Sequence, residues 1–205
     1  MIPGSSIPYT VKAAVLNSDY TFTGWTADPD GSVKFADASE LETSFTVNST
    51  SSNVSSITVT ANAKDIVAPT VSNFATDGTG LTATAQDGQK GLAYYAFSTS
   101  STAPAEAGWT AVSYGKNESK NAEKTFTLAF STNPDNGKYY FYAKDYDGNV
   151  TNSTNSVQIT RVVYNNFYEN DAPATKADWL IGSGTVTLAE PTRTGYTFGG
   201  WYTDE

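Results

Sequence analysis

Tyr20-Thr21-Phe22-Thr23-Gly24-Trp25-Thr26-Ala27-Asp28 returns near the other end of the chain as Tyr196-Thr197-Phe198-Gly199-Gly200-Trp201-Tyr202-Thr203-Asp204. Six of the nine positions are identical, including a Trp and the Gly before it. A short alternating stretch precedes each copy, Thr10-Val11-Lys12-Ala13 and Thr185-Val186-Thr187-Leu188. Two copies of one module therefore bracket a different middle, and such repetition frames the fold before any local reading.

Outward from the first copy, Val33-Lys34-Phe35, Ser44-Phe45-Thr46-Val47 and Ile57-Thr58-Val59-Thr60-Ala61 alternate apolar and polar residues, the period of a half-buried strand. Asp28-Pro29-Asp30-Gly31 is a turn signal, and residues 48–56 form a polar Ser/Thr/Asn loop. Lys64-Asp65-Ile66-Val67-Ala68-Pro69 reads as a linker. Strand-like runs follow at 70–74, 81–85, 92–98, 109–114, 125–130, 139–144 and 150–160. Asp77-Gly78, Asp87-Gly88, Asn136-Gly137 and Asp147-Gly148 punctuate them. This even spacing of short strands predicts an immunoglobulin-like sandwich over residues 67–160. From Arg161 on, residues 162–168 read as a strand and Asp171-Ala172-Pro173 through Ile181 as a helix: Asp as cap, Pro early, Gly182 as stop.

Composition narrows the function classes. The 205 residues carry a net charge of −9, only 16% charged and 13% aromatic residues, with no Cys and no His. Disulfides, thiolate sites, His-based acid–base chemistry and a Ser-His-Asp triad are thereby excluded. Twelve scattered Lys and Arg make neither the basic patch of a nucleic-acid binder nor a polybasic membrane contact. No apolar run approaches a transmembrane span. No stretch reads as a signal peptide or sorting motif, and Met1-Ile2-Pro3-Gly4 reads as the start of an excised segment. Cys-free, acidic, Thr/Asn-rich chains are common on Gram-positive surfaces, a compositional association.

The run from Thr185 to Tyr202, and above all Pro191-Thr192-Arg193-Thr194-Gly195-Tyr196-Thr197-Phe198-Gly199-Gly200-Trp201, resembles the internalin-type B-repeat, or Listeria–Bacteroides repeat. Residues 9–63 resemble a divergent version of it. Residues 67–160 are similar to bacterial Ig-like domains, through Asp65-Ile66-Val67-Ala68-Pro69-Thr70 and Tyr142-Ala143-Lys144-Asp145-Tyr146-Asp147-Gly148-Asn149. The resemblance implies small β-grasp-like modules in tandem on extracellular bacterial proteins, without catalysis. It also implies an opening strand carrying Gly-Gly, where this chain has Asn165-Asn166.

The expected architecture is all-β: a repeat module over 1–66 lacking its opening strand, a sandwich over 67–160, and a repeat module over 161–205 lacking its closing strands. In the motif, Tyr20, Phe22, Trp25, Tyr196, Phe198 and Trp201 are read as core, since modules this small need their largest apolar groups inside; a sugar platform is the alternative. In Tyr139-Tyr140-Phe141-Tyr142, alternation places Tyr139, Phe141 and Ala143 inside. Tyr140 and Tyr142 are then exposed or at a module junction, the candidate ligand contacts. Asp145-Tyr146-Asp147-Gly148-Asn149 resembles half a calcium loop but lacks the spacing and distal Glu of an EF-hand. It is read as a metal-free turn, so calcium and EDTA are expected to leave stability unchanged. A Lys12–Asn62 isopeptide bond is weighed as a substitute for disulfides. No catalytic pair, cofactor or metal ligand stands out.

The leading expectation is a stalk segment presenting a binding region elsewhere in a Gram-positive surface protein. The alternatives are a binding module for a host protein or glycan, and an accessory segment of a carbohydrate-active enzyme. The complementary missing strands of the terminal modules also predict head-to-tail self-association.

Overall fold

The computed structural model describes residues 7–15, 17–48, 55–77, 80–130, 135–151, 156–181 and 185–203. Among them, regular structure is β throughout, apart from one 3-10 turn at Glu106–Gly108. The chain divides into two compact units, residues 1–68 with the loop 146–149, and residues 69–145 with 150–205. Most of the expected polar loop at 48–56 lies outside the described residues, as do Gly78, Gly182 and Asp204.

In the first unit, β1 (Tyr9–Lys12), β2 (Tyr20–Asp28), β3 (Val33–Phe35), β4 (Glu42–Val47) and β5 (Thr58–Asp65) make two antiparallel sheets, ordered β1-β4-β3 and β2-β5. Alternation in β4 turns Phe45 and Val47 inward, where they meet Val33. Tyr9 and Phe35 flank Phe45 with ring centroids at 5.6 and 5.8 Å. The repeat motif is β2. Its register against β5 shifts between Phe22 and Gly24, and Gly24 sits at φ +134°. A Cβ there would lie 3.1 Å from the Ala38 carbonyl oxygen, the same oxygen that accepts the Trp25 amide at 2.8 Å. Glycine thus lets the 36–41 loop close over Trp25, which is 8% exposed. Lys12 and Asn62 do not meet as an isopeptide pair requires. Lys12 lies in the first sheet and pairs with Glu42 at 2.9 Å, while Asn62, in the second, donates to Gly24 O and Thr26 Oγ1.

In the second unit, β6 (Thr70–Thr76), β7 (Gly80–Gln86), β8 (Leu92–Ser98), β9 (Thr110–Ala111), β10 (Lys124–Ala129), β11 (Gly137–Asp145), β12 (Ser156–Glu169) and β13 (Ala172–Ile181) form two antiparallel sheets, β10-β7-β6 and β13-β12-β11-β8-β9. Ala83, Ala85, Leu92, Phe126, Phe141 and Ala143 are the shared core. The alanines leave room for aromatic packing, with Phe141 against Phe97 at 5.1 Å and Phe126 at 5.5 Å. Full burial of a ring such as Phe141 stabilises by about 1.5–3 kcal/mol.

Two expectations change here. The break at 160–163 falls inside β12, one 14-residue strand. Its first part pairs with β11 (Gly137↔Ile159 to Tyr140↔Ser156), and from Ile159 on it pairs with β13. The sandwich and the last segment therefore share a strand, and residues 150–205 group with 69–145. The helix expected over 171–181 is instead β13. Asn170 and Asp171 both take positive φ, 52° and 63°, as the two central residues of a tight hairpin turn do. Asp171 thus turns a hairpin rather than capping a helix, and Pro173 is tolerated because β13 is an edge strand. Asn166, at φ 58°, stands at the register shift between Tyr164 and Phe167, so a single Asn serves where the resemblance implies Gly-Gly.

Candidate binding surface

The second copy of the motif has no regular secondary structure. Residues 185–203 run in irregular conformation, part of them against the β12–β13 hairpin. The Asp171 carboxylate accepts the Thr194 amide at 2.7 Å and its hydroxyl at 2.9 Å, while the Thr192 amide reaches Tyr168 O at 3.1 Å. These bonds to Thr194, backbone first, hold the Asp171 carboxyl below the usual carboxylate range. Gly195, at φ 81°, closes a turn in which the Tyr196 amide donates to Arg193 O. The Arg193 guanidinium lies over both the Tyr168 and Tyr196 rings, 4.6 and 4.1 Å from their centroids.

Further along, Trp201 packs edge-on to Tyr164 at 4.9 Å and parallel to Phe167 at 6.3 Å, with Phe198 at 5.4 Å. Tyr164 donates to Asp178 Oδ2 at 2.8 Å, and this bond above all raises the Tyr164 phenol above its ordinary value. The result is a groove of about 720 Å³, lined among others by Tyr164, Tyr168, Arg193, Tyr196, Trp201 and Tyr202. None of its lining residues is a carboxylate. The lining offers aromatic faces to apolar or sugar surfaces and a guanidinium to acceptors.

Of the motif residues read as core, Trp25 is buried, and Tyr20, Phe22, Phe198 and Trp201 are half-buried. Tyr196 is 67% exposed, because its ring covers the Arg193 guanidinium instead of entering the core. The candidate contact Tyr142 is corrected too. It is 3% exposed and donates to Ser100 O at 3.0 Å, and burial raises its phenol pKa. The connection from β8 to β9 covers that face of the sheet, where Trp109 and Tyr94 also take the Lys144 ammonium, 4.7 and 5.0 Å from their ring centroids. Tyr140 is half-buried, and Tyr139, Phe141 and Ala143 are buried. Arg193 is legible as part of the motif; its stacking between two tyrosines depends on the β12–β13 hairpin, which a helix over 171–181 would not form.

The Listeria-Bacteroides repeat domain model matches residues 5–62 and 126–205, more than half of the chain. The chain belongs to the Listeria-Bacteroides repeat family. Both copies of the Tyr-Thr-Phe motif lie within the matched stretches, and the second match begins at residue 126, well upstream of Arg161. This repeat family is typical of bacterial surface proteins, and no helix among the described residues is long and apolar enough to cross a membrane. Over 91 residues the chain is 30% identical to the oligopeptide-binding protein AliA of Streptococcus pneumoniae serotype 4. That stretch is 44% of this chain and 13% of the relative's length. No solved structure matches the chain.

Proposed function

We propose that this Listeria-Bacteroides repeat chain is a non-catalytic stalk segment of a modular, wall-associated Gram-positive surface protein, presenting a binding region located elsewhere in that protein. The observation that carries the reading is the repetition itself: one family motif occurs twice, and a two-sheet sandwich, which we read as bacterial Ig-like, stands between the copies. An acidic surface rich in Thr and Asn keeps such a segment soluble. The test is replacement of the segment, within its parent protein, by an unrelated spacer of equal length. Retained target binding at the cell surface is the expected result. Loss of binding that only this sequence restores would overturn the stalk reading.

A second reading is supported by the groove on the β12–β13 hairpin, where Tyr196 and Tyr202 are 67% and 85% exposed beside Arg193. It makes the segment a binding module for a glycan or a host protein. A glycan array and an extracellular-matrix panel, run with the wild type and with Arg193→Ala and Tyr202→Ala, separate the two readings. Saturable binding lost in both variants favours the module, and absence of binding in all three favours the stalk.

A further inference from the structure

We propose that Asp87 and Asp145, inside the second unit, form a binding site for a hard divalent cation of the calcium type. Alternation along β11 puts Asp145 on the same face as Phe141 and Ala143, so the last residue of that strand points into the sandwich. Asp87 follows β7 at the same end. Each is only 2% exposed, and their carboxylate oxygens lie within 4.8 Å of one another.

Asp87 Oδ2 accepts two backbone amides, Lys90 N at 2.7 Å and Gly91 N at 2.5 Å, which suits an acceptor-only carboxylate. Asp87 Oδ1 is buried and has no hydrogen-bond partner among the described residues. A buried carboxylate oxygen left without a donor, with a second buried carboxylate beside it, is among the costliest arrangements a protein core can hold. A shared proton or a cation relieves it.

The donor set favours a cation of the oxygen-seeking class, since the chain has no Cys or His to offer a softer metal. Two oxygens bound to one calcium at about 2.3–2.6 Å each are at most about 5 Å apart. The separation of these carboxylates falls inside that span. Metal-ligand function here replaces the metal-free reading of Asp145, whereas the turn reading holds for Gly148, at φ 90°. The cation would tie the end of β11 to the loop after β7, joining the two sheets of the sandwich at one end.

The experiment is calorimetric titration of the EDTA-dialysed 205-residue chain with calcium chloride, alongside thermal melts in calcium and in EDTA. Expected are saturable 1:1 binding and a melting temperature raised by roughly 5–10 °C at a hundredfold excess over Kd. Asp145→Asn is expected to abolish both, and Asp87→Asn likewise. Because Asp87 also holds two amides, its variant can fail to fold; Asp145→Asn and terbium luminescence displaced by calcium on the wild type then decide the matter. No binding heat with identical melts in calcium and EDTA would overturn the proposal and leave the shared proton. A calcium effect that survives in Asp145→Asn would overturn it equally, by placing the cation elsewhere.

Discussion

Trp25 donates its indole N–H to the Glu40 carbonyl at 2.9 Å, whereas the indole nitrogen of Trp201, at the same position of the repeat, is buried without an acceptor among the described residues. The two sites are otherwise alike at short range. Phe22 and Trp25 meet edge to face at 5.7 Å and 64°, Phe198 and Trp201 at 5.4 Å and 64°. The preceding glycines sit at φ +134° and +120°. What differs is what lies over the indole.

That difference sets the first prediction. Trp25→Phe leaves a part-buried carbonyl without its donor, whereas Trp201→Phe removes a donor that has no partner. Beyond the common loss of ring area, Trp25→Phe is expected to cost about 1–3 kcal/mol more. Urea denaturation followed by circular dichroism measures both, and equal costs would show that the indole bond is immaterial.

Gly24→Ala and Gly200→Ala form the second comparison. Each forces an L-residue into positive φ, a strain of order 1–3 kcal/mol. At Gly24 the new Cβ also meets the Ala38 carbonyl oxygen at 3.1 Å, while at Gly200 its nearest neighbours are the Tyr202 hydroxyl at 3.7 Å and ring carbons from 3.8 Å outward. Gly24→Ala is therefore expected to be the more damaging. The reverse order in thermal melts would refute the role assigned to the close approach at Gly24.

Acid should release the segment that carries Arg193. The Asp171 pKa is lowered from 3.8 in the folded protein, so its contribution is complete above that value and is lost as pH falls through the folded one. The protection factor of the Thr194 amide, observed exchange relative to the intrinsic rate at the same pH, is expected to fall below pH 3.8, and Asp171→Ala to show low protection already at neutral pH. A Thr194 amide protected equally at all these pH values would contradict the assignment.

At the alkaline end the sign reverses. Tyr164 has its pKa raised from 10.0 by donating to Asp178, so its contribution is complete below pH 10.0 and is lost as pH rises through the folded value. The β12–β13 hairpin is expected to loosen above that range. Tyr164→Phe should be less stable than wild type at pH 7 and should lack the alkaline step. A step that persists unchanged in the variant would assign it to another group.

Strand content and the burial of Tyr139, Phe141 and Ala143 were legible because period-two alternation is a local pattern that one buried face enforces. The β13 hairpin was not. Asp171-Ala172-Pro173 carries helix-start chemistry, and the same Asp, preceded by Asn170, is equally at home with positive φ in a two-residue turn. Pairing with β12 decided between them, and that information lies outside the segment. Tyr142 was misplaced for a related reason: alternation tells which face a side chain takes, but not whether a loop from elsewhere covers that face.

By itself, the sequence determined the repeat, the all-β class, the turn glycines and the local Phe–Gly–Trp geometry, which is the same in both copies because backbone sterics and neighbouring rings act within a few residues. Tertiary structure alone decided that β2 is a strand paired with β5 while residues 196–203 are irregular, and that Arg193 stacks between Tyr168 and Tyr196. It also decided that Asp87 and Asp145, 58 positions apart in the chain, bury their carboxylates together. Those outcomes depend on which distant groups arrive to satisfy each backbone bond, ring face and charge, and a local pattern carries no record of them.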